Sequence, residues 1–282
     1  MESINRNRPN DAIQQQRGLS TLIAKAQESI ASGKSFNRPS EAPSSWLEVS
    51  SLGRKAAIED SWLINIGRAR IKAQQAESTM DTIASGVTRA KELVILANNE
   101  TLSTADRDVI AIELESLRDQ FNQLSQAEDS YSGKLFHAGD PIQMRIDTNI
   151  LVTPSPNLQS LAQSIDIGGG ATSDLDTIMN DMITAVRTGT AADRSQQLER
   201  TESLVSHFAT LVAGQGLMVN RLDEQEDRLL QSQLTSTERR STLENTDIAE
   251  AVTRFQSLLV NLEAAQRLYA NSSSTSLIQL IG

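Results

Sequence analysis

Residues 49–97 read VSSLGRKAAIEDSWLINIGRARIKAQQAESTMDTIASGVTRAKELVILA. Apolar side chains recur there at alternating steps of three and four: Val49, Leu52, Ala56, Leu63, Ile66, Ala73, Ala76, Met80, Ile83, Val87, Ala90, Val94 and Ala97. Glu59 occupies one seam position, and the phase shifts slightly near Ala69–Ala73. A seam sustained that far predicts a long coiled-coil helix, about 70 Å at 1.5 Å per residue. Asn98-Asn99 ends it, and Ser103-Thr104-Ala105-Asp106 starts the next, with Ser103 capping. That second helix carries Ile110, Leu114, Leu117, Phe121 and Leu124 on one face. The short connection predicts an antiparallel pair.

The period weakens outward from this stretch. Breakers at Ser132-Gly133, Gly139-Asp140-Pro141, Pro154-Ser155-Pro156 and Gly168-Gly169-Gly170 mark a small insertion, the triple glycine reading as a flexible linker. Met144/Ile146 and Ile150/Val152 alternate about Asp147-Thr148-Asn149, which predicts a hairpin. Helical period returns at Ile178, Met182 and Ala185. Thr190–Asp193 looks like another capping box, and a second seam follows: Leu198, Val205, Phe208, Val212, Val219, Leu222 and Leu229. Both ends are helical too: Leu19, Leu22, Ile23, Ala26 and Ile30 at one, and Ile248, Ala251, Phe255, Leu258, Leu262, Ala265 and Tyr269 at the other. The expected fold is mainly α, a folded-back rod of long coiled-coil helices built from both ends, with a small β-containing central insertion. Its expected divisions are a terminal segment 1–40, rod helices 41–130, the insertion 131–175, rod helices 176–245 and a terminal segment 246–282.

Composition agrees with thin helical layers. Of 282 residues 38% are hydrophobic, yet only nine are aromatic (5 Phe, 2 Tyr, 2 Trp), and thick globular cores rely on aromatic area. A net charge of −10 without a basic patch argues against nucleic-acid binding. There is no cysteine, hence no disulfide or thiolate chemistry. The longest apolar run, Leu93–Ala97, is too short for membrane insertion, and Met1–Gly18 has no apolar signal core. The expected location is cytoplasmic, or outside the cell by a route that reads no Sec-type signal.

The search for chemistry fails at each step. Gly33-Lys34-Ser35 lacks the partner glycine of a phosphate loop, since Glu28 stands in its place. Asp174, Asp176, Asn180 and Asp181 miss the calcium-loop spacing and read as a capping cluster. His137 and His207 form no ligand set, and no nucleophile elbow is present. No enzyme, cofactor or metal site is expected. What stands out is the terminal stripes. Each end helix is marginal alone in water, so its apolar face must be covered either by its own chain or by neighbouring subunits, and pattern leaves both open.

Seven motifs stand in order along the chain: Ile4-Asn5-Arg6-Asn7, Ile30-Ala31-Ser32-Gly33-Lys34, Arg38-Pro39-Ser40-Glu41-Ala42-Pro43, Arg89-Ala90-Lys91-Glu92-Leu93, Leu117-Arg118-Asp119-Gln120, Gly133–Gly139 (with His137 interrupting a Leu-Phe-Ala-Gly element) and Ser276–Leu280. Together they resemble the flagellin family, and within it the proteins of the hook–filament junction. The resemblance implies a structural, non-enzymatic axial subunit of the bacterial flagellum, of junction type. Such a subunit is exported through the flagellar type III system with a cytoplasmic chaperone and resides outside the cell, and the resemblance implies that its terminal segments are disordered in the monomer and become a coiled coil on assembly. Its partners would be copies of itself, a neighbouring hook-associated protein and flagellin. A filament-forming flagellin with a reduced outer domain is the alternative within the family; a cytoplasmic helical signalling or scaffold coiled coil is the alternative outside it. The expected assembly residues are Leu19, Leu22, Ile23, Ile30, Ile248, Ala251, Phe255, Leu258, Leu262, Tyr269, Leu277 and Leu280. Arg89, Leu93 and Glu113 match positions that an innate immune receptor reads in some flagellins.

Overall fold

The computed structural model describes residues 8–168 and 170–281, with side chains described over 13–168 and 170–270. Among the described residues there are six α-helices: α1 (Arg8–Ser32), α2 (Pro43–Ala97), α3 (Thr104–Ser125), α4 (Leu175–Thr188), α5 (Ala191–Glu244) and α6 (Ile248–Ile281). Two short antiparallel pairs lie between α3 and α4: β1 (Met144–Arg145) with β2 (Leu151–Val152), and β3 (Ile165–Asp166) with β4 (Thr172–Ser173). A π-helical turn at Gln159–Gln163 separates them. The chain is thus mainly α with a small β-containing middle, as its periodicities imply.

Contacts divide the chain into two compact units, 58–232 and the combination of 1–57 with 233–282. In the first, residues 58–97 of α2, residues 191–232 of α5, α3 and α4 enclose two apolar clusters. The larger gathers Met80, Ile83, Val87, Leu93, Leu114, Phe121, Ile178, Met182, Leu204 and Phe208; the smaller gathers Ile66, Ala69, Ala73, Leu222 and Leu229 beneath the β1–β2 hairpin residues Ile146 and Val152. The hairpin has the register Met144↔Val152, as its alternation predicts. Gly86 lets α3 close on α2: a Cβ there would stand 2.5 Å from the Phe121 ring.

Caps follow the sequence closely. The Ser103 Oγ accepts from the Asp106 N–H at 3.2 Å, and Asp106 Oδ2 accepts from the Ser103 N–H at 3.0 Å. The Ser103 hydroxyl also donates to Asp106 Oδ2 at 2.7 Å, and this bond first, then the Ser103 N–H, holds the Asp106 carboxyl below its ordinary range. Thr190 and Asp193 repeat the arrangement ahead of α5. Asp174 caps α4 through the Thr177 N–H at 2.7 Å; of the acidic cluster it alone caps, while Asp176 accepts from Asn122 and Asn180 and Asp181 pairs with Arg200. The triple glycine does not form a linker. Gly168 and Gly170 take φ of +93° and +78° in the turn joining β3 to β4, a conformation open to glycine at no steric cost.

Polar groups fill seam positions that apolar periodicity overlooks. Gln215 is buried and its Nε2 donates to the Ala73 carbonyl at 3.2 Å and to that of Pro154. Gln225 reaches Asp147 Oδ2 at 2.8 Å, and Glu59 accepts from Ser232 Oγ at 2.8 Å. Lys72 donates to Asp129 Oδ2 at 3.1 Å and to the Lys134 carbonyl at 3.2 Å. Asp129 also closes its own loop by accepting from the Tyr131 and Gly133 N–H groups, each at 2.9 Å. Desolvation pushes the Asp129 carboxyl up, but the Gly133 N–H, Lys72 and the Tyr131 N–H together outweigh it and leave it lowered. That loop leads into Leu135 and Phe136, both in the larger core.

Candidate assembly surface

In the unit formed by the two ends, α1 and α6 pack against each other. Leu19, Ile23, Ala26 and Ile30 share one face of α1 by their spacing; Ile23 is buried and the other three are half-buried. On α6 the matching face carries Ala251, Phe255, Leu258, Leu262, Ala265 and Tyr269, all half-buried. The expected terminal stripes therefore meet each other first. The intramolecular and intermolecular readings of these stripes are not exclusives: a two-helix seam covers its residues in part only.

Apolar residues also stand off that seam. Leu22 is 43% exposed, Leu259 42%, Val260 64% and Leu268 71%, with Ile248 at 45% and Ile13 at 37%. At 100° per residue, Leu259, Val260 and Leu268 point in three directions around α6, none of them along the seam. A helix apolar on all sides is normally buried on all sides, yet α1 covers one. Of the sequence-derived assembly residues, Leu22 and Ile248 lie on this open surface; Leu259, Val260, Leu268 and Ile13 were missed because they break the seam spacing. The signal that would have found them is the apolar circumference of 248–268 as a whole. The side chains of Leu277 and Leu280 lie outside the described residues.

Several charges on this unit are paired or capped. Arg239 Nε meets Glu48 Oε1 at 2.7 Å, and Arg240 meets Glu244 at 3.2 Å. The Asn37 and Arg38 N–H groups donate to Glu41 Oε2 at 2.8 and 3.3 Å, and the former leads in lowering the Glu41 carboxyl. Among the described residues no group of three or more His, Asp or Glu side chains is placed to hold a metal ion, and no helix is long and apolar enough to cross a membrane.

In the other unit, Arg89 Nε donates to Glu113 Oε1 at 2.8 Å and its Nη1 to Glu92 at 3.1 Å, on the surface shared by α2 and α3. The Glu113 bond leads in raising the Arg89 guanidinium above its ordinary range. Leu93 is 2% exposed and belongs to the core, so of that trio only Arg89 and Glu113 are surface groups.

The helices at both ends have counterparts among known proteins. The model of the bacterial flagellin N-terminal helical region matches residues 4–139, and that of the bacterial flagellin C-terminal helical region matches residues 198–281. The chain belongs to the flagellin family. Flagellar hook-associated protein 3 of Escherichia coli is 21% identical over 305 aligned positions, covering 95% of this chain and 96% of that one. The flagellar filament 41 kDa core protein of Borreliella burgdorferi is 28% identical over 103 positions, 36% of this chain and 31% of that one. Among solved structures, the flagellar hook associated protein-3 of Legionella pneumophila superposes with a TM-score of 0.64 at 13% identity, over 69% of this chain and 98% of that one. In this flagellin-family chain the two matched regions bracket 140–197, which hold both β-pairs and α4.

Proposed function

We propose that the chain is a structural axial subunit of the bacterial flagellum, of the hook–filament junction type, and that it adds to its neighbours through α1 and α6. The observation that carries this reading is the incomplete cover of α6. Leu259, Val260 and Leu268 stay in water in the single chain, and a helix with that circumference gains free energy only when neighbouring helices close around it. The near full-length alignment with hook-associated protein 3 supports the junction type. The neighbours would be copies of this chain, another hook-associated protein and flagellin. Residues 131–175, the small β-containing insertion, would form a small outer portion.

On this reading the chain has no catalytic task, leaves the cell through the flagellar export channel, and is kept apart from its partners beforehand by a chaperone. The filament-forming alternative draws support from the partial match to the 41 kDa filament core protein. Quantifying the protein in purified flagella separates the two. A junction subunit is a trace component, present whenever filament is attached to hook; a filament subunit is a major one. Absence from purified flagella would overturn both.

A further inference from the structure

The insertion, residues 131–175, meets α2 and α5 largely through its main chain. Asn65 Nδ2 on α2 donates to the Arg145 carbonyl at 2.8 Å, and Lys72 Nζ donates to that of Lys134 at 3.2 Å. From α5, Gln215 Nε2 donates to the Pro154 carbonyl, and His207 Nε2 lies 3.3 Å from the Leu161 carbonyl. A carbonyl only accepts, so Nε2 is the His207 nitrogen that carries the proton. Gln225 adds one bond to a side chain, that of Asp147. By contrast, the Arg145 side chain is exposed and turns to the Thr148 carbonyl of its own hairpin, and Ile142 and Leu151 are exposed as well.

Within itself the insertion is laced together. Ser155 Oγ donates to the Leu135 carbonyl at 2.7 Å, Asn157 Nδ2 to that of Gly139 at 3.1 Å, and the Leu158 N–H to that of His137 at 2.8 Å. Its apolar anchors Ile146, Val152, Leu161 and Ile165 are buried in the two core clusters. Apolar burial is non-directional, so it holds the insertion down without fixing how it is turned. Hydrogen bonds weaken steeply off their axis, and the four from Asn65, Lys72, His207 and Gln215 reach carbonyls spread from residue 134 to 161. We infer that these four side chains form a cradle that reads the main chain of the insertion and sets its orientation on the helices, while the apolar anchors supply the hold. Every residue offers the same carbonyl, so the seat is independent of the side chains the insertion turns outward. The insertion moves with α2 and α5 as one body, and its outer surface can differ without changing how it is carried.

The chain has no cysteine, so pairs of spin labels can be placed on it without removing any native thiol. One label goes on Asn149→Cys, exposed between β1 and β2, and the other on Thr82→Cys, exposed on α2. The run of α2 from Asn65, which meets Arg145, to Thr82 puts them about 25 Å apart, within reach of dipolar spectroscopy. In the full labelled chain the distance distribution should be narrow. Adding Asn65→Ala with Gln215→Leu should widen it about twofold or more, and should speed exchange of the Ile146 and Leu158 amides about tenfold, as loss of these bonds requires.

Two controls separate orientation from hold. Ile146→Val trims an anchor and keeps the cradle, so it should lower the melting temperature and leave the width unchanged. Leu151→Ala, on the outward face, should change neither. An unchanged width in the Asn65/Gln215 variant, or a widening as large from Ile146→Val or Leu151→Ala, would overturn the cradle. Should leucine at 215 prevent folding, Asn65→Ala alone removes only a half-buried side chain and is read in the same way.

Discussion

Replacing Val260 and Leu268 by alanine tests where the assembly energy resides. Val260 is 64% exposed and Leu268 71% in the single chain, so truncating them removes little that the folded monomer uses. Alanine is also the better helix former at both sites, which keeps α6 intact. The loss falls on association. Val→Ala removes two carbons and Leu→Ala three, and at about 0.8 kcal/mol per buried carbon these give about 1.6 and 2.4 kcal/mol for full burial. Scaled by the exposed fractions that a neighbour could still cover, they come to about 1.0 and 1.7 kcal/mol, together about a hundredfold in affinity at 1.4 kcal/mol per decade. The assay is competition: variant and unsubstituted chains are co-expressed at equal levels in cells lacking the native copy, and their ratio in purified flagella is measured by mass spectrometry. The variant should be depleted by one to two orders of magnitude, while its thermal unfolding as a monomer stays unchanged. Equal representation in flagella would show that these side chains remain in water after assembly and would refute the reasoning.

Three further outcomes follow from the same geometry. Phe255→Asp places a carboxylate in the half-buried seam, so hydrogen exchange across Leu19–Ile30 should accelerate while the melting of residues 58–232 stays put; unchanged exchange in α1 would mean the two helices do not depend on each other. Gly86→Ala drives a methyl into the Phe121 ring, which is 1% exposed, and should destabilise by about 1–3 kcal/mol in denaturant unfolding, with part of the loss recovered by adding Phe121→Leu. Lys72→Met removes the cation from Asp129, both side chains being 10% exposed, and should cost about 2–4 kcal/mol at neutral pH. Because the folded-state Asp129 carboxyl is lowered, its contribution is present above the unfolded value near 4 and is lost as pH falls below it; the variant should therefore show a shallower acid limb than the unsubstituted chain, and an identical limb would remove Asp129 from the account.

Helix spacing made most of the architecture legible, because the seam of α2 and the caps at Ser103 and Thr190 depend on near neighbours in sequence. What it missed depends on distant ones. The α5 seam reads from sequence as Leu198, Val205, Phe208, Val212, Val219, Leu222 and Leu229; Phe208, Leu222 and Leu229 are buried, but the other four are half-buried, while Gln197, Thr201, Gln215 and Gln225 are buried. A glutamine can occupy a seam only if a specific acceptor stands opposite. For Gln215 those are the Ala73 and Pro154 carbonyls, and no periodicity encodes them. Gly168–Gly170 misled for a related reason: three glycines read alike as linker or as tight hairpin turn until β3 and β4 are seen to pair. Of the stripes read at the ends, Leu22 and Ile248 fall on the open surface and the others lie along the α1–α6 seam; the partner was underdetermined, since the pattern that suits a neighbour's helix also suits the other end of the same chain.

The two units differ in how far they satisfy themselves, and that difference bears on assembly. Residues 58–232 bury two apolar clusters with fully covered Met80, Ile83, Leu114, Phe121 and Phe208. In the unit made of the ends, the buried apolar side chains among the described residues are Ile23 and Phe36. Burial of a large apolar side chain contributes about 1.5–3 kcal/mol, whereas fixing each backbone residue costs about 1–2 kcal/mol. Two buried anchors and a half-covered seam cannot by themselves balance the ordering of helices as long as α1 and α6. On the proposed assembly reading that free energy comes from surfaces the single chain leaves open, Leu22, Leu259, Val260 and Leu268 among them. A subunit of that kind would be self-sufficient over residues 58–232 and would gain the full stability of its ends only where it joins others.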